Sequence, residues 1–108
     1  MNKIILNFFL LAIALYVQAG TLSAEKLYQQ NCMVCHADDG RGAMPGVSDL
    51  SESKRLFSVN ESQLVERIKK GVQVKGSPIS MPPKGGNPNL TDDDLFKILK
   101  YLKEIVKE

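Results

Sequence analysis

The clearest pattern in the chain lies at its C-terminal end. In "TDDDLFKILKYLKEIVKE", residues 91–108, Leu95, Ile98, Leu99, Leu102 and Val106 recur at helical spacing. Lys97, Lys100, Lys103 and Lys107 fall on the opposite face. Thr91 with Asp94 reads as a capping box, and three acids sit at the positive end of the helix dipole. A second helix is predicted over 60–71, "NESQLVERIKKG", with Leu64, Val65 and Ile68 as its apolar stripe. Asn60 is its N-cap, Gln63 stands where a capping box would place its partner, and Gly71 supplies the left-handed stop. A third runs through "TLSAEKLYQQNC", where Leu27, Tyr28 and Asn31 keep helical spacing and Thr21 or Ser23 caps the start. No stretch alternates as a strand does. The expected fold class is therefore all-α, with three to four helices.

Two stretches, 37–59 and 72–90, carry no such period and hold all five prolines. Irregular segments of that length in a small domain usually wrap a ligand or carry function. The first residues differ again. Lys3 precedes an apolar run from Ile4 to Val17, followed by small residues at Ala19 and Ala24. These are the parts of a secretory signal, and the run is short for a membrane span, which needs about 20 apolar residues. Residues 1–19 are expected to be a signal peptide, with cleavage up to 24 as the other option, and 20–108 a single domain. An uncleaved membrane tether is the alternative.

Composition narrows the function. Among 108 residues there is no tryptophan, so the apolar core is thin, and chains this small often lean on a metal, a disulfide or a cofactor. Without residues 1–19 the chain has 13 basic and 12 acidic residues, a balance unsuited to general nucleic-acid binding.

Both cysteines and the only histidine stand together in "NCMVCHADDG", residues 31–40. A structural disulfide between Cys32 and Cys35 would close almost no loop and gain little. Zinc needs four donors, and Cys and His side chains supply three here. A thiol–disulfide oxidoreductase wants its first cysteine at a helix N-terminus in a strand–helix framework, whereas Cys32 follows a helix. Covalent haem attachment through Cys-X-X-Cys-His accounts for all three residues: two thioethers to the porphyrin, and His36 to the iron. Of the four methionines, Met1 leaves with the signal, Met33 lies within the motif and Met44 only eight residues beyond His36. Met81 lies 45 residues beyond, and Pro82 and Pro83 hold it in extended backbone. His36 and Met81 are thus the expected iron ligands, and a six-coordinate haem of this kind transfers single electrons rather than performing catalysis. A haem sensor or catalyst with a labile sixth ligand, and a haem-free thiol or metal module, are the competing readings.

With "AEKLYQQNCMVCH", "SMPPKGGNPNLTDDDL" and "LFKILKYLKE" in view, the chain resembles small bacterial class I c-type cytochromes, and among them the cytochrome c-five type. That resemblance implies a periplasmic monomer carrying one haem c between respiratory redox partners, a donor and an acceptor. It implies that Ala24 and Tyr28 pack against Ile98 and Tyr101. It also implies that the carbonyl of Pro45 accepts the proton of His36. Lys54 and Arg55 are candidates for a haem propionate, and Lys75 and Lys84 for a docking rim, each against the plainer reading of solvated charge.

Overall fold

A computed structural model describes residues 21–107; the expected signal at 1–19 lies outside them. Helix α1 spans Ala24–Asn31. The Ser23 side chain, rather than Thr21, caps it by accepting from the Lys26 amide at 3.2 Å. Cys32 interrupts the helical path, and a four-residue helix α2, Met33–His36, follows at once. The stretch 37–59 is less irregular than its sequence suggests. It contains a 3₁₀ turn, Leu50–Glu52, and a short helix α3, Lys54–Ser58. Such one-turn elements leave too few residues for a period to show.

Helix α4 spans Glu61–Lys70 and ends at Gly71. Asn60 caps it through the Ser62 amide at 2.7 Å. No bond from Gln63 completes a box among the described residues. Helix α5, Asp92–Val106, has its full box: Thr91 Oγ1 accepts from the Asp94 amide and Asp94 accepts from the Thr91 amide. The fold is all-helical among the described residues. Its one departure is an isolated antiparallel bridge between Val72 and Met81.

The five positions expected to face inward from α5 are all buried, alongside Leu27, Tyr28, Leu56, Leu64, Val65 and Leu90. Helices α1 and α5 form the principal helix–helix contact. At their junction the rings of Tyr28 and Tyr101 meet at 5.4 Å, tilted by 52°. Tyr28 is 1% exposed, and Ile98 belongs to the same cluster. An aromatic pair in this tilted arrangement adds about 1 kcal/mol beyond the area it buries. Gly40 is buried against Val106 and Leu102 with φ of +77°. This contact brings the chain after α2 back onto α5. The core therefore lies between α1, α4 and α5, and the loops are drawn around its remaining side.

Candidate haem site

The cysteine motif, the Met81 loop and the inner faces of α4 and α5 enclose a cavity of about 380 Å³. Cofactor pockets are typically about 300–1,000 Å³. Cys32, Cys35, His36 and Met81 all line it, together with Leu56, Leu64, Ile68, Ile79, Leu95, Ile98 and Leu99. The wall is thus mostly aliphatic, with a few sulfur and nitrogen donors set into it. Met33 and Met44 are not on the wall. A larger, open concavity of about 600 Å³ runs along Ser62, Gln63, Glu66 and Lys70 of α4 and holds no cysteine, histidine or methionine.

Local chemistry explains how each donor is placed. The Cys32 amide bonds the Tyr28 carbonyl at 2.8 Å, so the motif continues directly from the last turn of α1. The His36 amide bonds the Cys32 carbonyl at 2.9 Å, forming the single turn of α2. Ala37 then adopts φ 66° and ψ 173°, a region that costs a non-glycine residue about 1–3 kcal/mol. Three contacts hold it there. Its amide donates to Met33, the Tyr28 hydroxyl donates to its carbonyl, and the Gly42 amide donates to the His36 carbonyl. Strain next to His36, fixed by its surroundings, is of the kind found at functional sites.

Met81 is placed by the bridge to Val72, with N–O distances of 2.9 and 2.8 Å. The chain can come this close because residue 71 is glycine. A Cβ on Gly71 would lie 2.7 Å from the Met81 carbonyl oxygen and 3.0 Å from the Pro83 nitrogen. After Met81, Pro82 is extended and residues Pro83–Gly86 make a tight turn in which Lys84 and Gly85 have left-handed backbone.

Both cysteines are unpaired thiols. Burial, then the neighbouring Cys35, pushes the Cys32 thiol up to about 11. A dithiol enzyme needs the reverse, a thiolate stabilised near neutral pH. Burial pushes the His36 imidazole below its ordinary value, which keeps it neutral with a lone pair available for a metal. Its Nδ1 is buried without a hydrogen-bond partner. The bond expected from His36 to the Pro45 carbonyl is therefore not made. Amides of Gly42 and Ala43 donate to the carbonyls of His36 and Cys35 at 3.0 and 2.8 Å. The chain then turns outward, leaving Met44, Pro45 and Gly46 exposed.

Of the charged candidates, Arg55 is on the cavity wall and Lys54 is not. Lys84, a candidate for the docking rim, instead lines the cavity and donates to the carbonyls of Leu90 at 2.7 Å and Pro88 at 3.4 Å. Lys75 is exposed. Asn31 and Arg67 also stand on the wall, and neither was among the candidate site residues. Arg67 could have been found, since it lies three residues beyond Leu64 on the same helical face.

These residues fit a haem attached through its edge. Among the described residues no three His, Cys, Asp or Glu side chains gather as donors. One uncharged imidazole with an orphaned Nδ1, a thioether and two free thiols in an apolar cavity suit an iron whose equatorial donors come from a macrocycle. The family described as cytochrome c oxidase, cbb3-type, subunit III matches residues 19–102. The chain belongs to this c-type cytochrome family. Its class I relatives agree. Cytochrome c-555 of Chlorobaculum thiosulfatiphilum is 33% identical over 75 residues, 69% of this chain and 84% of that one. Cytochrome c-555 of Prosthecochloris aestuarii is 29% identical over 85 residues, 74% and 82% of the two chains. Cytochrome c6 of Gracilaria tenuistipitata var. liui is 29% identical over 99 residues, 92% and 85% of the two. No solved structure gave a significant match. The protein is thus a small cytochrome that carries electrons through covalently bound haem c.

Proposed function

We propose that Cys32 and Cys35 are the thioether anchors of the haem, that His36 and Met81 are its axial ligands, and that the cytochrome shuttles electrons between redox proteins outside the cytoplasm. The observation that carries this reading is the convergence of these four side chains, from segments 45 residues apart, on one apolar cavity. Haem c, when bound, supplies a one-electron couple whose potential a methionine ligand raises. The chain's part is to bind and to exclude water. The His36 imidazole stays neutral because its surroundings desolvate it. The Met81 backbone is held by two hydrogen bonds to Val72, so its side chain starts from a fixed point. Aliphatic side chains of α4 and α5 keep the local dielectric low, so little solvent reorganises as charge is gained and lost. With two protein ligands on the iron, no position is left for substrate, and the protein acts as a carrier rather than an enzyme.

No helix among the described residues is long and apolar enough to cross a membrane. Export to the periplasm rests on the residue pattern of 1–19, and N-terminal sequencing of the mature protein tests it. Expression with c-type maturation machinery tests the haem assignment. The expected product is red and keeps its haem through acid–acetone, and the oxidised form shows the methionine–iron charge-transfer band. Met81→Ala should retain covalent haem, lose that band and lower the potential. Persistence of the band in Met81→Ala would overturn the ligand assignment.

A further inference from the structure

The two ligand-bearing segments meet away from the cavity centre, at Asn31. This residue ends α1, immediately before Cys32, and is half-buried on the cavity wall. Its amide nitrogen donates to the Leu27 carbonyl at 2.8 Å, which fixes the side chain against its own helix. Its Oδ1 accepts from Asn87 Nδ2 at 2.9 Å, across 56 residues of sequence. Among the described residues this is the one side-chain hydrogen bond between α1 and the Met81 loop. The backbones also close at this point. A Cβ on Gly85 would stand 2.8 Å from the Asn31 carbonyl oxygen, and Gly85 has φ of +64°. Asn87 is itself fixed, since its Oδ1 accepts from the Asn89 amide at 3.1 Å. The turn between Met81 and Asn87 is short and braced by Lys84 on the Leu90 carbonyl.

We infer that Asn31 is a positioning residue for the sixth ligand, a latch that ties the Met81 loop to the haem-attachment helix. It rests on the reading that His36 and Met81 are the axial ligands. The physical reasoning is one of linkage. Met81 leaves the iron only if its loop moves, and loop movement on the side of residue 87 must break the Asn31–Asn87 bond. A part-buried amide–amide bond is worth about 1 kcal/mol net, and this energy is spent only on holding the loop. Its removal therefore shifts the open–closed equilibrium of the loop rather than merely loosening the fold.

The test uses the oxidised holoprotein and free imidazole as a competitor for the Met81 position. Imidazole binding is followed by the shift of the haem Soret band, with loss of the charge-transfer band recorded alongside in the variants that keep Met81. Asn31→Ala and Asn87→Ala should each raise apparent imidazole affinity about fivefold, the equivalent of one such bond. The double variant should rise no further than the stronger single one, because both remove the same bond. Asn60→Ala, which removes the cap of α4, costs comparable stability without touching the loop and should leave imidazole affinity unchanged. Equal effects of Asn60→Ala and the two latch variants, or a double variant whose effect is the sum of both, would overturn the latch. Met81→Ala separates the two levels of inference. If it strongly raises imidazole affinity while the asparagine variants do not, the latch alone fails. If it leaves the affinity unchanged, the ligand assignment fails and the latch with it.

Discussion

Gly71→Ala is the substitution that most directly couples backbone strain to the proposed haem ligand. Gly71 ends α4 with φ 82° and ψ 170°, a conformation essentially restricted to glycine. Any side chain there costs about 1–3 kcal/mol in backbone strain alone. The added Cβ would also lie 2.7 Å from the Met81 carbonyl oxygen and 3.0 Å from the Pro83 nitrogen. Both atoms are backbone, so they yield only if the Met81 segment shifts. That shift would compromise the two bonds between Val72 and Met81, each worth about 1 kcal/mol net. Together the loss comes to about 3–5 kcal/mol. At about 2 kcal/mol per molar, a usual slope for small domains in urea, the unfolding midpoint should fall by about 1.5–2.5 M. The charge-transfer band should weaken at urea concentrations well below that midpoint, because the displaced segment is the one that carries Met81. Gly76→Ala is the matched control. Its φ is +84°, yet nothing lies within 4 Å of an added Cβ. It should cost about 1 kcal/mol and leave the band alone. If both variants lose the same stability, or if Gly71→Ala keeps the band intact up to global unfolding, the close approach at Gly71 does not position Met81.

Three further outcomes are expected. Tyr28→Phe keeps the ring packing on Tyr101 but strips the donor from the Ala37 carbonyl, and should cost about 1–2 kcal/mol in urea unfolding. Burial holds the Tyr28 phenol well above its ordinary value of 10.0. Its contribution is therefore present below pH 10 and lost as pH rises beyond it, and Tyr28→Phe should flatten that part of the stability–pH curve. Leu95→Ala removes a side chain only 1% exposed at the junction of core and cavity, and should lose about 2–5 kcal/mol by thermal or urea unfolding. Asp94, whose carboxylate accepts from the Thr91 amide, is held below its ordinary value of 3.8 by hydrogen bonding with Thr91. Its stabilisation is present above that value and lost as pH falls through the lowered one, so Asp94→Asn should reduce the loss of helicity seen by circular dichroism in acid.

Much of the site was legible because its signals are local. The spacing of Cys32, Cys35 and His36 is a matter of five consecutive residues, and Met81 is marked by the prolines beside it. The inward face of α5 and its Thr91–Asp94 cap follow from helical period and first-turn chemistry, and each expected position is found in place. Expectations carried by a resemblance rather than by local chemistry fared unevenly. The Tyr28–Tyr101 contact is present, since two packed helices bring these rings together. His36 Nδ1 has no partner and so makes no bond to Pro45, while amides at 42 and 43 bond the carbonyls of His36 and Cys35 and Pro45 itself is exposed.

By itself the sequence determined the helical class and the three long helices, and it carries the proposals of haem attachment at Cys32–His36 and of Met81 as ligand, for each depends on neighbours along the chain. Tertiary structure decided the rest. It set which face of α4 walls the cavity, brought Arg67 onto it, drew Lys84 inward to the Leu90 carbonyl and joined Asn31 to Asn87 across 56 residues. No local propensity encodes such contacts. They exist only because packing α1 on α5 brings residues distant in sequence within bonding reach, and because Gly71 and Gly85 lack the Cβ that would keep those backbones apart.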